Sequence, residues 1–164
     1  MPDITIQISG DDSVRKGFNT IQKEIKDASE PLLEASNAYN EAISENFKTR
    51  GRTFGQPWKP IKQATINIKK KLKTDGKAIA YTVPLVRTGE MRDAFGYTLV
   101  GKNTSRIINY TQYAQFHQEG LNGVPRRILA DIDTKRINMV SNVFAKWIDR
   151  IVTNFEKKWK HQSI

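Results

Sequence analysis

Residues 96–110, GYTLVGKNTSRIINY, decide the fold. Two short runs rich in β-branched and aromatic residues, 96–100 and 106–110, flank GKNTS, whose residues favour turns. That pattern predicts a β-hairpin with a five-residue loop. Long helical patterns stand far to either side of it, so the hairpin belongs to a small, mostly antiparallel sheet covered by helices. An α+β class follows.

Downstream, Ile137, Val140, Phe144, Trp147, Ile148, Ile151, Phe155 and Trp159 recur at helical spacing and predict a C-terminal helix over 131–160. Between hairpin and helix, LNGVPRRILADID reads as a loop leading into an edge strand. Upstream, Val14, Phe18, Ile21, Ile25, Ala28, Leu32, Ala35, Tyr39, Ile43 and Phe47 form one stripe, predicting a helix over 12–48. Pro31 interrupts it, but the stripe keeps its phase, so a kink is expected there. Ahead of it, ITIQI alternates and predicts a strand over 3–9. Residues 49–84 make an irregular middle segment. It contains a short amphipathic helix marked by Ile61, Ala64, Ile68 and Leu72, then an extended loop over 73–84. Thr88-Gly89-Glu90 opens a brief helical turn. The whole reads as one domain, 1–164.

The chain has 164 residues, 38% of them hydrophobic, and a formal net charge of +10. The charge is concentrated: Arg50, Arg52, Lys59, Lys62, Lys69, Lys70, Lys71, Lys73 and Lys77 face one acid, Asp75, so residues 50–77 carry +8 of it. Such a segment either meets DNA or an acidic partner or is a solvated loop. No apolar run is long enough to span a bilayer, and no membrane partner is expected. The opening MPDITIQISG lacks the marks of a secretory signal, so export by that route is not expected. There is no cysteine, which excludes disulfides, thiol nucleophiles and cysteine-held zinc and fits a reducing cytoplasm.

Candidate chemistry centres on YAQFHQEG, 113–120, which holds one of two histidines. Two histidines 44 residues apart and no cysteine make a poor metal set. No G-x-S-x-G elbow, phosphate loop or G-x-G-x-x-G is present. No cofactor is therefore expected, and no catalytic role. Tyr113, Phe116, His117 and Gly120 follow helical steps, and Gly120 supplies the left-handed residue that ends such a turn. The expectation is a structural corner in which the imidazole donates to a backbone carbonyl or a partner side chain. Phe54, Trp58 and Tyr81 among the lysines suit stacking on single strands. Yet Phe54 and Trp58 stand among glycines and prolines, where an aromatic anchors a loop to a core. No nucleic-acid motif appears, which leaves non-specific electrostatic contact as the alternative reading: a small basic nucleic-acid-binding protein.

The order of the short motifs carries more than any one of them. GQPWKPI, PLVRTGEMRDAF, the hairpin, NYTQYAQFHQEG and VPRRIL with a long terminal helix together resemble the virion-morphogenesis, or tail-completion, proteins of tailed bacteriophages and prophages. The likeness runs over residues 54–129. Gly55 and Trp58 match the family's first motif; Leu85, Thr88 and Gly89 match the second. Tyr113, Ala114, His117, Gln118 and Gly120 match the third, and Pro125 and Arg127 the fourth. Met91 stands where leucine is usual, the pair Ile128-Leu129 comes one residue early so that Arg126 or Arg127 fits the arginine, and 73–84 has no counterpart. The resemblance implies a non-enzymatic virion protein of the neck or tail, assembled from the host cytoplasm. It implies a homo-oligomeric ring, six copies by family pattern, that joins tail to capsid beside connector, adaptor and tail-terminator proteins, in reach of packaged DNA.

Overall fold

The computed structural model describes residues 11–71 and 81–162. Strand 3–9, residues 73–80 and the cations Lys73 and Lys77 lie outside them. The described chain is α+β: helices α1 (Asp11–Ile25), α2 (Ser29–Lys48), α3 (Gln63–Lys71), α4 (Glu90–Asp93), α5 (Ala114–Glu119) and α6 (Thr134–Gln162), with strands β1 (Phe95–Leu99) and β2 (Ser105–Asn109).

The hairpin forms as its composition and turn residues predict, shifted one residue earlier. Phe95 pairs with Asn109 and Leu99 with Ser105, antiparallel. Val100 leaves the strand because its N–H closes the turn on the Thr104 carbonyl at 2.7 Å. The ladder also continues past β2, where Tyr110 N–H donates to Ala94 O at 3.1 Å.

The expected single kinked helix over 12–48 is two helices. The break falls at Lys26–Ala28, and Pro31 sits in the first turn of α2. A first-turn proline costs little, since its amide has no intrahelical partner there anyway. The break itself is anchored to the hairpin loop. Ala28 N–H donates to Lys102 O at 3.0 Å, and Asp27 pairs with Lys102 at 3.1 Å. Asp27 also accepts from the Ser29 hydroxyl at 2.6 Å. Hydrogen bonds from Ser29 and then Lys102 pull the Asp27 carboxyl down to about 2. The apolar stripe keeps its phase because Ile21, Ala28 and Leu32 all reach one cluster, with Trp147 and Ile151 of α6.

The larger core lies at the other end of α2. Ile43 and Phe47 pack with Phe54, Trp58, Met91, Ala114, Ile128 and Leu129. Phe47 meets the Trp58 ring edge-on at 5.2 Å and Phe95 at 6.1 Å. Burying a side chain such as Phe47 contributes roughly 2–3 kcal/mol, so these aromatics fix the 3-10 turn at Arg52–Phe54 against α2. Helix α6 starts on a cap: the Asp133 carboxylate accepts the Arg136 N–H at 2.8 Å. Arg136 itself is buried in the core's flank. It donates to Thr53 O, faces the Asp133 carboxylate at 3.4 Å and lies 4.6 Å over the Phe54 ring.

The expected edge strand at 121–133 is absent; among the described residues the sheet has two strands. Its backbone is held by side chains instead, and that arrangement builds the site.

Candidate functional site

Segment Pro125–Ala130 starts at the surface and is buried over Arg127–Leu129, without a strand partner. A buried backbone must still bond its polar groups. Arg127 N–H donates to the His117 carbonyl at 2.7 Å. Ile128 O accepts from both Trp58 Nε1 and Asn46 Nδ2 at 2.9 Å, and Leu129 O accepts from Asn46 at 3.3 Å. Gln118 acts as a substitute strand edge. Its Oε1 accepts from Leu129 N–H at 2.7 Å and Ala130 N–H at 3.3 Å, while its Nε2 donates to Ala130 O at 2.8 Å. The third and fourth motifs are thus two halves of one clamp, with Trp58 of the first motif closing it.

Helix α5 exists to present this clamp. It ends at Gly120, which takes the left-handed conformation with φ 78° and sits against the Arg126 backbone. A Cβ there would lie 3.1 Å from Arg126 N, so the corner requires glycine. Here the expectation for His117 is corrected. The corner is braced by the carbonyl of His117 and the side chain of Gln118, whereas the buried His117 Nδ1 has no hydrogen-bond partner.

One face of the clamp opens into a depression of about 750 Å³. Leu85, Thr88, Gly89, Tyr113, His117, Pro125 and Arg127 line it, which gathers seven of the twelve motif residues. Trp58 and Gln118 lie behind it in the clamp, Gly120 ends α5, and Gly55 is exposed with open space where a Cβ would stand. The steric demand of Trp58 falls on Gly51, which precedes that motif. Leu85 adopts the left-handed region with φ 61°, turning the chain toward Gly89, which has φ 88° and starts α4.

The basic segment divides. Lys59, Lys62 and Lys69 line the depression, joined by Arg87 and Arg127 from outside the segment, with Glu90 the one acid among the described lining residues. Lys70 and Lys71 stay exposed on the end of α3, and Arg50 and Arg52 belong to the turn above Phe54. Lys69 is drawn inward: it is only 9% exposed and donates to Val83 O at 2.7 Å and Val86 O at 3.4 Å. Burial, and then the charges of Arg87 and Arg127, push its pKa down. Burial does the same for Arg127. The Tyr113 hydroxyl is pushed up, first by burial and then by Glu90.

Burial first, then Arg127, hold the His117 pKa below its ordinary 6.5. With the lower value in the folded state, the unfolded chain takes up this proton first as pH falls. The stability that His117 contributes is full above about 6.5 and is lost as pH falls toward the depressed value. Denaturation midpoints at pH 7.5 and 5.5 are expected to differ less in His117→Gln than in the parent chain. Equal differences would mean that the ring does not titrate in this environment.

Two functional residues were invisible to sequence reasoning. Asn46 sits in the helical stripe as an ordinary polar position, and Arg136 as an ordinary exposed one. The carbonyls that decide their roles, of Ile128 for Asn46 and Thr53 for Arg136, lie 82 and 83 positions away. Among the described residues, no group of three His, Asp or Glu could hold a metal, and no helix is long and apolar enough to cross a membrane. Comparison with protein-family models, curated proteins and solved structures returns no match for this chain.

Proposed function

We propose that this chain is a structural subunit of a tailed-phage neck, of the tail-completion type, which closes into a homo-oligomeric ring and helps join tail to capsid. It performs no catalysis. The observation that supports the reading is convergence: motifs dispersed over residues 54–129 assemble into one clamp and one depression, so their spacing has a single structural purpose.

The helices support the oligomeric part. Phe18 on α1 is 66% exposed and Ile137 on α6 51% exposed, and Ile132, just before α6, is 74% exposed. Ile148 and Val152 stand exposed farther along α6. A further apolar groove of about 510 Å³ runs between α2, β2 and the start of α6, lined by Leu32, Ile107, Ile137 and Val140 among others. Exposed apolar side chains and an apolar groove of this kind suit an interface. A head-to-tail contact between identical copies closes into a ring when its rotation closes, and six copies follow the family pattern.

Removing the coding sequence from a phage genome that carries it is expected to leave filled heads and free tails that fail to join, with joining restored by the protein supplied in trans. Normal particle yield without it would overturn the reading. A monomer that binds duplex DNA tightly, with a steep dependence on salt, would favour the small nucleic-acid-binding protein instead.

A further inference from the structure

The two buried arginines of this fold are treated differently. Arg136, 3% exposed, also leaves Nε and Nη1 without a hydrogen-bond partner, but its charge is met by the Asp133 carboxylate at 3.4 Å, the Thr53 carbonyl and the face of Phe54. Arg127, 7% exposed, has one long contact, NH1 to its neighbour Pro125 O at 3.5 Å, and its buried Nε has no partner. No carboxylate among the described residues pairs with it. A buried guanidinium without a counter-ion is costly, and native proteins rarely keep one without use.

Its surroundings say what completes it. Arg127 lines the depression with Lys69, Arg87, Lys59 and Lys62, five cations against Glu90 alone among the described residues. The same walls carry Leu85, Met91 and Val124, which are apolar. His117 adds a second buried nitrogen, Nδ1, that lacks a partner. The ligand is therefore anionic at its tip and aliphatic along its shaft.

We propose that this depression receives a carboxylate side chain from an acidic peptide segment of another protein, with Arg127 taking the carboxylate and Leu85 and Met91 the methylene arm. The guanidinium fork matches two carboxylate oxygens. Duplex DNA fits poorly, because its phosphates lie on a continuous ridge whereas Arg127 is recessed below Lys59, Lys62 and Arg87. The site needs only the depression, so it stands independently of the ring assembly proposed above.

The test uses the full chain and three fluorescent probes: hexaglutamate, hexaglutamine and a short duplex DNA, each followed by anisotropy in moderate salt. Hexaglutamate is expected to bind and hexaglutamine not to. Arg127→Gln should weaken hexaglutamate binding by about tenfold, and Arg87→Gln, an exposed change that does not threaten folding, by about threefold. Thermal melting supplies the second readout. Because Arg127→Gln removes an unpaired buried charge, the variant should melt no lower than the parent, whereas a purely structural arginine would lower it. Hexaglutamate affinity unchanged in Arg87→Gln and in any folded Arg127→Gln protein would overturn the proposal. So would absent binding, or DNA affinity that falls with these variants as much as peptide affinity does.

Discussion

Asn46→Ala is expected to destabilise the fold by about 2–4 kcal/mol, read as a lower urea midpoint with little change in slope. Asn46 is fully buried in α2. It donates to the carbonyls of Ile128 and Leu129 and accepts the Phe54 N–H at 3.4 Å. Truncation strips three backbone groups of a partner where no water reaches, although Trp58 still serves Ile128 O. Each orphaned group costs about 1–3 kcal/mol, and the shared acceptor holds the total to the stated range. Asn46→Asp should be worse at neutral pH, since it sets a buried negative charge against two carbonyl oxygens. A midpoint unchanged in Asn46→Ala would mean that segment 125–130 is held by something else.

Gly51→Ala is expected to cost about as much, roughly 2–5 kcal/mol, and Gly55→Ala only about 1 kcal/mol. Both glycines have positive φ, 90° and 71°. They differ in space. A Cβ on Gly51 would stand 2.2 Å from Gln56 O and 2.5 Å from the Trp58 ring, whereas on Gly55 it would meet nothing within 4 Å. The first substitution therefore adds overpacking to backbone strain and pushes Trp58 off the Ile128 carbonyl; the second adds strain alone. Equal melting temperatures for the two variants would contradict the placement of Trp58 against this turn.

What was legible in the sequence was whatever depends on near neighbours. The hairpin, the C-terminal helix, the turn at Gly89 and the corner ended by Gly120 are local patterns, and each forms within a few residues of its expected place. The kink at Pro31 misled because a proline in the first turn of a helix is harmless, while the real break depends on Lys102 in a distant loop. The edge strand misled in a different way. VPRRIL has strand-like composition, but its backbone partners are the side chains of Asn46, Trp58 and Gln118, which no periodicity announces. Lys69 was hidden by its neighbours: in a lysine run, nothing distinguishes the one that turns inward. Gln118 stood out only through the motif it belongs to, and the structure supplies the chemical reason for it.

That difference bears on function. The candidate site is made of long-range contacts among short motifs, and the surfaces left over are apolar faces of α1 and α6. A clamp that fixes the middle of the chain and leaves helix faces exposed is the arrangement on which the proposed ring rests.

The most direct measurement is the mass and symmetry of the purified full chain, by sedimentation at several concentrations alongside averaged particle images. A closed ring of identical copies, six in number, is the predicted result. A chain that stays monomeric up to high concentration, with no ring in any image, would contradict the account.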